Sequence, residues 1–364
     1  MAGVPTEQAL FDQGPWLEVD LDAMRRNART YSDRVGVPLL PMVKANGYGL
    51  GAAPVAEALE PLNPWGFGVA SIAEAAELRE AGVVRPVVAF LPFLVAAAPA
   101  YRRLGVRPAL GGPADVAAWL AGGVEPFHLA IDTGMGRGGV SWRDDESLGR
   151  IGELLRGAPG YEGIFTHFHS ADTDEVATAG QWDRFLAAVA RVGSPPPLIH
   201  AANSAAGRWG GRFAGTMARP GIFLYGGEAG PWAPEPVVRL ESLVHAVRPI
   251  APGETVSYGA TFRVTEPAEV VTLGVGYADG LLRSLSSRGM VAIGSRRYPI
   301  AGRITMDMTM VVVPPGTASV GDRLTLFGGE VSLDEQAGLA GTISYELLTA
   351  VGRRVRRHYR GGPR

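Results

Sequence analysis

Apolar and polar positions follow two different rhythms along the chain, and the change between them divides it. In the first part, short apolar runs are each followed by a segment whose apolar residues recur three or four positions apart. Trp16 to Val19 precedes a helical pattern over Leu21 to Val35, Pro38 to Val43 precedes Ala52 to Leu59, and Gly66 to Ala70 precedes Ile72 to Ala81. Further runs lie at Pro86 to Phe90, Pro126 to Ile131, Gly163 to Phe168 and Pro197 to Ala201, the later ones trailed by helices such as Val176 to Val192. Strand-then-helix repetition produces parallel sheets, because a parallel neighbour can be reached only through a crossover. About eight such units in about 230 residues fit a closed (β/α)8 barrel of the TIM type better than an open doubly wound sheet.

The rhythm changes after Pro231-Trp232-Ala233-Pro234-Glu235-Pro236, where closely spaced prolines mark a linker. Beyond it, alternating runs at Val237 to Val247, Thr255 to Phe262, Glu269 to Val275, Met290 to Ile293, Arg303 to Val313 and Arg323 to Phe327 predict strands. A single helix is expected, starting near Ser332 with Glu335 completing a capping box. The expected organisation is an α/β barrel over residues 1–232 and a mostly β domain over 233–364.

Composition narrows the chemistry. The 364 residues are 46% hydrophobic and 19% charged with a net charge of -2, which suits a globular protein and gives no reason to expect a nucleic-acid partner. The basic cluster Arg353, Arg354, Arg356, Arg357 and Arg360 reads as a solvated surface. With no cysteine, disulfides, thiolate nucleophiles and thiolate metal sites are closed. The longest apolar stretch, Pro86 to Ala100, is broken by Pro92 and Pro99, so no membrane association is expected. The amino terminus lacks a basic start followed by an apolar core, and the cytoplasm is the expected location.

Among the 34 basic residues, Lys44 is the only lysine. Arginine stays charged, whereas a lysine can lose its proton on burial and condense with a carbonyl, so the exception points to Schiff-base chemistry. A lone lysine can also be an accident of composition. Its position favours chemistry: it follows Leu39-Leu40-Pro41-Met42-Val43, which puts it at the carboxyl end of the second expected strand, where catalytic groups of such barrels collect. Gly134-Met135-Gly136-Arg137-Gly138-Gly139 has the spacing of a dinucleotide fingerprint but does not open a βαβ unit. His167-Phe168-His169 puts two imidazoles on one strand face and, with His200 and Asp172, suggests a metal hydrolase. In metal-dependent amidohydrolases, however, the paired histidines precede the lysine. At Arg219-Pro220-Gly221, a late barrel segment offers backbone N–H groups to a phosphate. Tyr258 and Tyr277 each stand beside glycines, as exposed loop tyrosines do.

Together these segments resemble the alanine racemase family, pyridoxal 5'-phosphate enzymes with an amino-terminal barrel and a carboxyl-terminal β domain. The matching motifs run in order through Val43-Lys44-Ala45-Asn46, Asp132-Thr133-Gly134-Met135-Gly136-Arg137, Thr166-His167-Phe168, Ala202-Asn203-Ser204-Ala205, Arg219-Pro220-Gly221, Tyr258-Gly259-Ala260, Gly276-Tyr277-Ala278-Asp279-Gly280, Gly302-Arg303-Ile304-Thr305-Met306-Asp307 and Ile343-Ser344-Tyr345-Glu346. The resemblance implies interconversion of L- and D-alanine by two-base proton transfer on a cofactor aldimine, supplying D-alanine for peptidoglycan. Lys44 is then the lysine that joins the cofactor and one base, and Tyr258 from a second subunit is the other. Two opposed bases are needed because a single base tends to return the proton to the face it came from. Bringing an amine or phenol from about 10 to about 7 takes roughly 4 kcal/mol of differential stabilisation.

The resemblance also implies that His167, Arg219, Tyr48, Asn203, Ser204, Gly221, Ile222 and Tyr345 hold the cofactor. Arg219 faces its ring nitrogen, and a cationic neighbourhood of His167 and Arg219 favours the Tyr258 phenolate. Arg137 and the partner-side Met306 meet the substrate carboxylate, Tyr277 and Asp307 line the entrance, and the active unit is a homodimer with shared sites. The chain departs from the family at Ala130, where many members carry a lysine that becomes carbamylated and steadies the arginine at position 137. It departs again at Leu50, usually histidine, and at Thr305, commonly cysteine. A racemase of serine or of broad specificity shares this pattern. A non-catalytic pyridoxal-phosphate carrier resembles the barrel alone, without Tyr258 and Met306.

Overall fold

A computed structural model of the chain describes residues 14–193 and 195–362. The amino-terminal segment read above for a secretory signal lies outside them. The chain opens with β1 (Trp16–Asp20) and the helix Leu21–Val35. Asp20 caps that helix by accepting from the Ala23 N–H at 2.9 Å, and Gly36 ends it in the left-handed conformation. Its buried residues Leu21, Met24, Ala28, Tyr31 and Val35 recur at helical spacing and pack against the barrel wall.

Six parallel strands follow in the order β2 (Phe67–Val69), β3 (Val87–Pro92), β4 (Val106–Leu110), β5 (Phe127–Asp132), β7 (Tyr161–Phe165) and β8 (Leu198–His200), with β6 (Val140–Ser141) flanking β5. Two shorter segments close the ring. Met42 bridges Gly68 of β2, Leu39 bridges Ala218, both in parallel, and the Leu40 and Met42 amides donate to the carbonyls of Ala218 and Pro220. The expected barrel is present, with two differences. β1 is not one of its staves: it pairs in parallel with the strand Arg356–Arg360 and antiparallel with β9 (Val238–Ile250). Lys44 therefore follows the first barrel segment rather than the second. The count also hid two staves, β4, interrupted by Pro108, and the closing stretch at 217–220.

The second sheet is built around β9. One end pairs with β1 and with Arg323–Phe327, and the other with Ala268–Leu273, which continues to Thr309–Val313. Thr255 to Phe262 is not one strand, because a 3-10 turn at Tyr258–Ala260 separates Thr255–Val256 from Phe262–Arg263. Likewise only Thr309–Val313 of the run from Arg303 is strand, and the rest is the loop carrying Met306 and Asp307. Ser332 caps the helix Leu333–Ala340 through the Glu335 amide at 3.0 Å, but the Glu335 carboxylate pairs with Arg297 instead of closing a capping box. A second helix, Ser344–Ala350, went unread because it is short and carries no side-chain cap. No helix among the described residues is long and apolar enough to cross a membrane.

Candidate active site

The carboxyl ends of the barrel segments all open on one face, and the loops beyond them carry the candidate residues. Lys44 begins a tight turn in which Ala45, Asn46, Gly47, Tyr48 and Gly49 all have positive φ between 52° and 82°. Left-handed backbone costs non-glycine residues roughly 1–2 kcal/mol each, so the turn persists only because its surroundings over-determine it. The Gly47 amide donates to Val43 O and that of Gly49 to Ala45 O, both at 2.8 Å, and Asn46 Oδ1 accepts from the Ala52 amide at 2.9 Å. Glu74 braces the start: Oε1 accepts from the Ala45 amide at 2.8 Å and Oε2 from that of Ala70 at 2.7 Å.

Lys44 is half-buried, and its Nζ makes no hydrogen bond among the described residues. It lines a cavity of about 260 Å³ together with Met42, Ala130, Arg137 and His167. Burial, aided by the Arg137 charge and opposed by Glu74, lowers the lysine's affinity for its proton. Asp132, at the end of β5, gathers the amides of Gly134, Met135 and Gly136 at 2.8–3.1 Å, and that loop presents Arg137. Arg137 makes no hydrogen bond or ion pair among the described residues. Ala130, in the family's lysine position, packs in an apolar cluster with Ala109 and Phe165.

His167, just beyond β7, is pulled down to about 3 by burial and by the charges of Arg219, Arg137 and Lys44. It is thus neutral at physiological pH. The positive charges around it are the two arginines and the lysine. His169 does not converge with it on a metal site: it is exposed, with Nδ1 against Ser170 Oγ at 2.6 Å.

Arg219 is buried and braced. Nη1 donates to His200 O at 2.7 Å and to His200 Nδ1 at 2.8 Å, and Nη2 to the carbonyls of Thr166 at 2.7 Å and Ala201 at 3.2 Å. Nε–H is the donor left without a partner among the described residues. Burial pulls the guanidinium down to about 9, which leaves it charged at neutral pH. Nearby, Ser204 Oγ accepts from the Gly221 amide at 2.8 Å and the Phe223 amide at 3.3 Å, at the start of the turn Ile222–Tyr225. Tyr48 is buried and stacks on Tyr225 with centroids 4.3 Å apart, with Tyr345 tilted against it at 5.9 Å. A Cβ at position 221 would collide with Tyr48 Oη, so glycine is required for the phenol to lie over these amides. Asn203 holds the following turn by accepting from the Ala206 amide at 3.0 Å, and lines a second cavity of about 480 Å³ with His167 and Tyr345.

Apart from Tyr345, the candidate residues of the β domain lie elsewhere. Tyr258, Tyr277, Met306 and Asp307 are exposed and line neither cavity. Tyr258 sits between Ser257 and Gly259, both at positive φ, and Ser257 Oγ donates to Arg303 O at 2.5 Å. The Tyr277 and Ala278 amides donate to Thr305 O and Met306 O at 3.0 Å, and Arg354 pairs with Asp307 at 2.8 Å. Hydrogen bonds thus join these loops to one another. The chain therefore holds two partial constellations, a lysine-bearing cleft and a tyrosine-bearing surface.

The donor set fits pyridoxal phosphate. A half-buried lysine with an uncommitted amine, an arginine with one donor unspent, and a glycine-hydroxyl-phenol cradle suit an aldehyde, a ring nitrogen and a phosphate respectively. Several wall residues were missed by sequence reasoning as parts of the site: Glu74, Gln181, His128 and Glu162, with His200 weighed only as a metal ligand. Gln181 steadies the segment bearing His167, donating to His167 O at 3.2 Å and accepting from the His169 amide at 2.9 Å.

Comparison with known proteins agrees over nearly the whole length. The family model for the alanine racemase N-terminal domain matches residues 19–229, and that for the C-terminal domain matches 237–359. An alanine racemase of Desulfovibrio desulfuricans is 36% identical over 369 residues, covering 96% of this chain and 99% of the relative. The crystal structure of alanine racemase from E. faecalis superposes with a TM-score of 0.89 at 32% identity, covering 96% of this chain and 99% of that one. The enzyme from Bartonella henselae, solved with covalently bound pyridoxal phosphate, gives 0.88 at 28% identity, covering 95% and 99%.

Proposed function

The chain belongs to the alanine racemase family, and from that premise we propose that it interconverts L- and D-alanine with pyridoxal 5'-phosphate, on sites shared between two copies of the chain. The carrying observation is the lone lysine, its amine unbonded and its hold on a proton weakened by burial, facing the same cavity as Arg137 and His167. When bound, the cofactor withdraws electron density from the substrate Cα and so makes its proton removable. Lys44 holds the cofactor and moves that proton on one face. Tyr48, Ser204, Gly221, Ile222 and Tyr345 hold the phosphate, with Asn203 behind them. Arg219 offers Nε–H to the ring nitrogen and, having only donors, keeps that nitrogen unprotonated.

Arg137 binds the substrate carboxylate. Tyr258 of a second copy serves the opposite face, with Met306 beside the carboxylate and Tyr277 and Asp307 at the entrance. The exposure of these four residues, away from the cleft of their own chain, supports a homodimer. The division into a barrel over 1–232 and a β domain over 233–364 belongs to the same reading, with β1 crossing it. Cytoplasmic supply of D-alanine for peptidoglycan is the accompanying role.

Incubation with L-alanine in deuterium oxide tests the reading: the expected products are D-alanine and Cα deuterium, with visible cofactor absorbance. Lys44→Ala should lose both the turnover and the absorbance, whereas a colourless, fully active Lys44→Ala protein contradicts it. A preference for serine over alanine would change the substrate and leave the mechanism intact.

A further inference from the structure

From Arg219 a file of polar side chains leads through the barrel interior. His200 Nδ1 faces Arg219 Nη1 at 2.8 Å, His200 Nε2 faces His128 Nδ1 at 2.8 Å, and His128 Nε2 faces Glu162 Oε2 at 3.3 Å. Arg107 closes the far end, its Nε donating to Glu162 Oε2 at 3.0 Å. Both imidazoles are fully buried, His200 lying against the Phe165 ring at 5.2 Å and His128 against Trp65 at 5.8 Å. β5, β7 and β8 each contribute one member. Gly163 leaves room for the file, since a Cβ there would sit 2.6 Å from His128 Nδ1.

The two ends fix everything between them. A guanidinium can only donate and an ionised carboxylate can only accept. His200 Nδ1 must therefore accept, which puts its hydrogen on Nε2. That hydrogen makes His128 Nδ1 an acceptor and puts the second hydrogen on His128 Nε2, directed at Glu162. Adding a proton to either ring, or exchanging either tautomer, sets donor against donor between fully buried side chains. We propose that Glu162 acts through His128 and His200 as a positioning residue for Arg219, the chain of two neutral Nε2–H imidazoles fixing the guanidinium by polarity as well as by contact. Burial disfavours protonation of both rings, in keeping with this polarity. Among the described residues no carboxylate touches Arg219, so the relay is also how a buried cation is coupled to an anion it does not meet. The consequence for catalysis rests on the reading that Arg219 faces the cofactor ring; the relay itself does not.

The test is long-range 1H–15N correlation of ring-labelled histidine in the holoenzyme and after cofactor removal. At pH 7, His128 and His200 should each show one pyrrole-type Nε2 and one pyridine-type Nδ1. Glu162→Gln can present an amide N–H to His128, so the fixed end is lost. Both tautomers should then become populated, the cofactor absorbance band should shift, and kcat should fall about tenfold with KM changed far less, as for other groups that orient a ligand indirectly. Glu162→Asp, which keeps the acceptor, should restore single tautomers and most of kcat. A charged ring or an Nδ1–H tautomer at either histidine in the unaltered protein would overturn the proposal, and this result stands even if the variant fails to fold. So would Glu162→Gln with unchanged nitrogen shifts. Tautomers that respond to Glu162→Gln while the cofactor band and kcat do not would uphold the relay and refute the placement of Arg219 at the cofactor.

Discussion

At the scale of single residues, what the sequence disclosed depended on how unusual a residue type was in its setting. Lys44 stood out because every other cation is arginine, and Arg219 because it precedes a proline-glycine turn. His128 and Glu162 were silent as site residues and His200 was read only as a metal ligand, since the meaning of a polar position on a barrel strand lies in which neighbours it meets across the interior. Those histidines make a pH prediction. His167, His128 and His200 have folded-state proton affinities depressed below the ordinary histidine value of 6.5, His167 to about 3. Above about 6.5 folded and unfolded chains are both neutral at these rings, so their stabilising contribution is complete there. As pH falls from that value toward the folded-state values, the unfolded chain takes up protons that the folded chain refuses, and stability is lost at up to about 1.4 kcal/mol per pH unit for each ring. Calorimetric melting should show a falling Tm between pH 6.5 and 5, where most carboxylates stay ionised. A flat Tm across that window would contradict the neutral burial of these rings.

Element boundaries were legible where local chemistry sets them and obscure where it does not. The helix Leu21–Val35 was expected at its observed ends from apolar spacing, and Asp20 caps it and Gly36 stops it. The staves around Pro108 and at 217–220 escaped because they are short and carry proline, and β1 was misassigned because local pattern does not specify which sheet a strand joins. The left-handed turn after Lys44 could not be foreseen from Ala45 and Asn46, neither of which demands positive φ. That turn depends on Glu74, which accepts the amides of Ala45, Ala70 and Ser71 and opposes the loss of the Lys44 proton. Glu74→Gln, retaining one accepting oxygen, should cost about 1 kcal/mol of stability. It should also lower the Lys44 pKa further, moving the acid limb of the kcat profile to lower pH. An unmoved limb would show that Glu74 does not sense the amine.

For the whole molecule, the barrel followed by a β-rich sheet domain was readable from the two rhythms, while their entanglement was not. β1 opens the chain yet lies between β9 and the strand Arg356–Arg360, so the second sheet needs residues from both ends of the sequence. The separation of Tyr258 from Lys44 was expected from the family resemblance and has a physical counterpart in its exposure on a loop held by Ser257 and Arg303. Each copy thus brings a cleft lacking a second base and a surface bearing one.

Co-expression of Lys44→Ala and Tyr258→Phe chains tests this division most directly. Each variant alone should be inactive. A mixed dimer pairs the intact Lys44 cleft of one chain with the intact Tyr258 of the other, so random pairing should recover about a quarter of the unaltered activity. Activity no higher than that of the separate variants, in a preparation shown to contain mixed dimers, would contradict a site assembled from two chains.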